Sequence, residues 1–164
     1  FGNPDPGVIG FLFENRKYLT TLSYSSIIND VVDFVMSEKF LDSGMHTLMS
    51  VMSFYKYVDK DVKNLIHDRI HLLVNKEIDA GLGKWDEYGL EPYKIYIIEP
   101  HFLNTHLEDL GKNLTRVIGL IKNLAVEPNW QWYQYNEEFE KAKLQWIGQM
   151  YFDMIRALKL HRIL

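Results

Sequence analysis

The sequence predicts an all-α fold: a single domain over residues 1–164, built as a bundle of five or six helices with one extended segment near 93–98. Three observations carry this expectation. In the stretch 105–126, Leu107, Leu110, Leu114, Val117, Ile121 and Leu124 recur at alternating spacings of three and four, which places them on one stripe of a helix. The stretches 23–36, 42–58, 59–81 and 136–160 repeat that period, and the first three, joined by short links, should fold back as antiparallel neighbours. The length of 164 residues, with 47% apolar and 24% charged side chains, suits one globular core.

Taken in order, FGNPDPG at the start is turn chemistry. Asp5 can cap a short helix with Pro6 at its first position, running through Phe11, Leu12 and Glu14 towards Leu19, although Gly7 and Gly10 weaken it. Ser23, Ser25 or Ser26 opens a second helix whose broad apolar face holds Ile27, Ile28, Val31, Val32, Phe34, Val35 and Met36. Residues 39–44 read as a tight connection. Asp42 or Ser43 caps a third helix, with Met45, Leu48, Met49, Met52 and Tyr55 inward. Asp59 caps a fourth, with Val62, Leu65, Ile66, Ile70, Leu73, Val74 and Ile78 inward and Gly81 as its stop.

Residues 81–92 are a long irregular connection, and YKIYII between Pro92 and Pro100 has strand composition. No second strand stands ready to pair with it. It is therefore read as a strap over helices, the alternative being a strand paired with another chain. The stripe at 105–126 is the central helix, with Ile118 and Ala125 widening it. After the aromatic run 129–135, Asn136 caps the last helix. Glu137, Glu138 and Glu140 favour its N-terminal end, and Arg156, Lys159, His161 and Arg162 its C-terminal end. Its inward face is Phe139, Leu144, Ile147, Met150, Tyr151, Met154, Ile155 and Leu158.

Composition excludes several functions. A formal charge of -4 argues against a nucleic-acid partner, which calls for a basic face. No apolar run approaches the roughly 20 residues of a transmembrane segment. The absence of cysteine removes disulfides, thiolate nucleophiles and thiolate metal sites. A chain opening on Phe1 and the sequon Asn113-Leu114-Thr115 together point to an extracellular protein glycosylated at Asn113.

Candidate chemistry is sparse. His67-Asp68-Arg69-Ile70-His71 sets two histidines four apart with a carboxylate after the first, as the zinc-binding H-E-x-x-H helix does. Here the acid is one methylene shorter, Arg69 brings a charge, and no third ligand follows, so the pair reads as a solvated helix face and no metal site is expected. Glu99, His101 and His106 flank the central helix and read as capping residues. No Gly-x-Ser-x-Gly elbow, Walker loop or dinucleotide fingerprint is present, and no cofactor is implied.

The methionines say more. Met45, Met49 and Met52 stripe one helix, and Met150 and Met154, with Trp146, stripe another. Flexible, polarisable methionine suits a cavity that adapts to an apolar ligand, although filling a core is its commoner use. The run Trp130-Gln131-Trp132-Tyr133-Gln134-Tyr135 reads as packing across helix ends, with the mouth of such a cavity or a partner surface as its other uses. The leading expectation is a non-enzymatic, secreted carrier of a small lipid-like molecule in an internal pocket. A structural, storage or interaction protein that self-associates through 93–98 or the aromatic run comes second. A metal-dependent enzyme using His67 and His71 comes third.

Overall fold

The computed structural model describes residues 2–19 and 23–163. Among these residues are eight α-helices and two 3-10 turns, with no β-strand. The all-α expectation holds. The two additional helices are short: α3 has four residues and α6 has five. The contacts group the chain into two compact units, Phe1–Ala80 and Gly81–Leu164.

The first unit holds α1 (Asp5–Glu14), α2 (Tyr24–Met36), α3 (Glu38–Leu41), α4 (Gly44–Tyr57) and nearly all of α5 (Lys60–Gly81). Phe13, Val31, Val35, Phe40, Leu48 and Met52 are among its buried side chains. The glycines that weaken α1 as an isolated helix are what bring it close to α4. A Cβ on Gly10 would stand 2.7 Å from the Cα of Phe54, and the Gly7 N–H donates to Ser50 Oγ at 3.0 Å. Local propensity yields here to tertiary contact. The seven-residue inward face expected on α5 narrows. Ile66, Ile70, Leu73, Val74 and Ile78 are buried, whereas Leu65 lies in solvent, one position round from Ile66.

Ser37 and Ser43, which stand before α3 and α4, bond backwards. Ser37 Oγ donates to Phe34 O at 2.6 Å and Ser43 Oγ to Phe40 O at 2.7 Å, and neither makes a side-chain cap. With helices following so closely, the preceding helix's unsatisfied carbonyls claim these hydroxyls. α5 completes the same task from a distance. Arg69 donates to Ser37 O at 2.8 Å, and Lys76 Nζ donates to Leu41 O at 2.7 Å. Cations thus sit on the C-terminal ends of α2 and α3, where the helix dipole favours them.

The second unit holds α6 (Pro92–Tyr96), a 3-10 turn (Pro100–Leu103), α7 (Leu107–Lys122) and α8 (Asn136–Leu160). The expected extended strap at 93–98 is instead mostly helical. Pro92 at the first position presets the backbone, and Ile97 N–H to Tyr93 O and Glu99 N–H to Ile95 O meet locally the groups a lone strand would leave open. Tyr93 and Ile95 are buried, so strand-like composition reflects burial rather than extension. The central helix is also shorter than its stripe. Leu107, its first residue, is exposed, and Leu124 lies past its end at φ 52 with its side chain 82% exposed. Among the described residues no helix is long and apolar enough to cross a membrane.

Candidate functional site

Within the second unit, Leu110, Leu114 and Val117 of α7 are buried, and Asn113 shares their face without any exposure. A buried amide must find partners. Asn113 Oδ1 accepts from the Tyr93 N–H at 3.1 Å, and its Nδ2 donates to Glu91 Oε2 at 3.0 Å. The first bond satisfies a donor that the first turn of α6 leaves open. Asn113 therefore caps one helix from inside another. A glycan on this Nδ2 would have to displace Glu91 and would have no route to solvent.

Glu91 is buried and gathers cations. Arg116 Nη1 donates to its Oε2 at 3.1 Å, and Lys94 Nζ lies 3.6 Å from its Oε1. Arg116 Nη2 also reaches Trp85 O at 2.9 Å and Asp86 Oδ1 at 2.6 Å, fastening the irregular stretch before α6 onto α7. Burial, followed by the negative charges of Glu91 and Asp153, pushes the Tyr93 phenol far above its ordinary value.

Beside this network lies a cavity of about 230 Å³. One part of its wall is apolar, with Leu120, Met150 and Met154; another is polar, with Glu91, Lys94 and Arg116. Trp85 lines it as well. Its Nε1 is buried and has no acceptor among the described residues. A more open cleft of about 580 Å³ adjoins it, sharing Asp86, Glu127, Pro128 and Asn129 and adding Trp130, Tyr133 and Phe139. Trp130 meets Trp146 edge to face at 5.7 Å, and Trp132 meets Phe139 in the same way. The aromatic run thus both packs on α8 and borders the cleft.

The six ligand-facing candidates divide. Met150 and Met154 line the smaller cavity, while Trp146 is an exposed residue packed on Trp130. Met45, Met49 and Met52 belong to α4 in the first unit, where Met52 is fully buried in the core and the other two are half-buried. Trp85, Glu91, Lys94 and Arg116 were not legible as a site from sequence. The nearest signal was Asn113, a polar residue three after Leu110 and four before Val117, and therefore inside the stripe.

The histidines have local roles. His67 Nδ1 lies 3.0 Å from Asp68 Oδ1, and its ring stacks with His71 at 6.2 Å between centroids. No cluster of three metal-ligating side chains occurs among the described residues. Arg69, the residue out of place in a zinc-type helix, holds the end of α2 instead. His101 pairs with Glu99 at 2.9 Å, and the buried His106 pairs with Asp109 at 3.3 Å at the start of α7. No protein family, curated protein or solved structure matches the chain.

Proposed function

We propose that the protein binds a small, lipid-like molecule in the cavity beside α8, and that its role is carriage rather than catalysis. The observation that carries this reading is a cavity walled by Met150, Met154 and Leu120 beside Trp85, whose buried indole N–H has no acceptor among the described residues. An apolar cavity of about 150 Å³ holds benzene. One of about 230 Å³ suits a molecule with a single ring or a medium-length chain. The full charges on its wall already have partners: Lys94 and Arg116 with Glu91, Arg116 again with Asp86, and Glu127 with Lys143. The group still needing a partner is a neutral donor. The ligand class is therefore a hydrophobe with one uncharged oxygen acceptor, such as a ketone, ester or alcohol, and not a free carboxylate.

Titration calorimetry with 2-octanone, set against octanoate, tests the reading. The ketone should bind and the acid should bind at least about tenfold more weakly, since a second carboxylate near Glu91 gains no unpaired cation. Met150→Trp, which fills the cavity, should abolish uptake while leaving the melting temperature within a few degrees. Trp85→Phe should weaken binding by roughly 3- to 10-fold, the value of one neutral hydrogen bond. Absence of heat with either probe, together with no co-purifying small mass in native mass spectrometry, would sink the proposal.

A further inference from the structure

Helix α8 presents a second face that the fold leaves uncovered. Successive residues on a helix advance by about 100°. Phe139, Met154, Ala157 and Leu158 are the buried side. Roughly 80–160° round from Met154 lie Leu144, Gly148, Phe152 and Ile155. Leu144 is 77% exposed, Phe152 62% and Ile155 44%, and a Cβ on Gly148 would meet nothing within 4 Å. Leu144 and Ile155 are expected from sequence to face the core. They instead belong to an apolar stripe in solvent, which widens the helix's apolar surface to two faces. Exposed apolar residues clustered in this way mark contact surfaces.

The ends of the stripe are charged, and with opposite sign. Glu137 lies on the N-terminal side and Lys159 on the C-terminal side. Both are exposed and neither makes an ion pair among the described residues. Their positions are symmetric about Gly148. Leu144 and Phe152 are each four residues from it, and Glu137 and Lys159 each eleven.

We infer that this face docks onto the same face of a second copy of the chain, with the two α8 helices antiparallel and crossing at Gly148. A two-fold axis there sets Leu144 of one copy against Phe152 of the other, twice over, as an isologous interface requires. It also sets Glu137 against Lys159, again twice. Lys141 meets Ile155, covering it with its methylene stem. Glycine at the crossing point admits close approach of the backbones. A parallel pairing would place Glu137 on Glu137 and Lys159 on Lys159, so charge chooses the orientation. One helix face is smaller than the roughly 800 Å² per partner of a standard stable interface, so the association is reversible and concentration-dependent. This inference stands independently of the cavity.

Sedimentation equilibrium across protein concentration is the first test, with a monomer–dimer equilibrium expected. Phe152→Glu should weaken association at least about 100-fold, because it removes a buried ring from each half of the interface. Glu137→Lys should weaken it about tenfold and the double variant Glu137→Lys/Lys159→Glu should restore it. All these positions are exposed, so circular dichroism should be unchanged throughout. The chain has no cysteine of its own, so introduced cysteines report orientation cleanly. Gly148→Cys should form a disulfide-linked dimer. Glu137→Cys alone should not, since two copies of that position lie about 33 Å apart in the antiparallel arrangement; mixed with Lys159→Cys it should cross-link. A strict monomer at every concentration, a dimer indifferent to Phe152→Glu, or ready self-linking of Glu137→Cys would each overturn the inference.

Discussion

At the scale of single residues, the second unit turns on Asn113. It gives its oxygen to the Tyr93 N–H and its nitrogen to Glu91, and it does so without any exposure. Replacing it with leucine keeps the bulk but strands a buried N–H and removes a donor from a buried carboxylate. Asn113→Leu should cost about 2–3 kcal/mol, measured by urea denaturation. A loss below about 0.5 kcal/mol would mean that these groups find other partners. Tyr93 gives a pH prediction. Burial and nearby carboxylates raise its pKa in the folded state, so the folded chain keeps a proton that the unfolded chain releases near pH 10. That contribution to stability is complete below about pH 10 and declines as pH rises beyond it, by up to about 1.4 kcal/mol per pH unit. Denaturation at pH 9 to 11 should show a steeper decline for the native chain than for Tyr93→Phe. Asn113 could have been placed by its spacing within the stripe, although its partners could not. Glu91 and Tyr93 come from a segment whose β-rich composition concealed a helical turn, so the pairing was invisible until α6 existed.

Among the elements, α1 shows how a poor helix former is used. Gly10 meets the backbone of Phe54, so the contact admits no side chain at all. Gly10→Ala gains roughly 0.5–1 kcal/mol of helix propensity and loses about 1–3 kcal/mol to overpacking against rigid backbone. Net destabilisation should follow in guanidinium melts, and a stabilised variant would show that α1 can move off α4. The main helices were legible because their apolar periods are long and sustained. Their faces were less so. In α8 the apolar residues Leu144, Phe152 and Ile155 satisfy a helical period as well as Met150 and Met154 do, and periodicity alone does not say which stripe a neighbour covers. The cavity residues were less legible still, because Trp85, Glu91 and Lys94 come from irregular or short segments with no period to read.

For the whole chain, the dominant fact is its division into two compact units at Ala80 and Gly81. Just beyond that point, residues 82–84 and 86–88 are exposed, with Gly83 at φ 76. Limited trypsin digestion should therefore cut first after Lys84, leaving fragments 1–84 and 85–164 that mass spectrometry resolves. First cleavage within α5 or α7 would contradict the placement of this connection.

Arg69 and Lys76 carry one more implication. The C-terminal carbonyls they receive belong to segments more than thirty residues earlier in the chain. During synthesis α2 and α3 emerge from the ribosome with those ends open to water, and they stay so until α5 has followed. The N-terminal half is thus a structure whose latch arrives last. A stall in translation that keeps residues 69–76 within the ribosome would leave it assembled in outline but unfastened, and such a nascent chain should be far more vulnerable to proteases than one long enough to release all of α5.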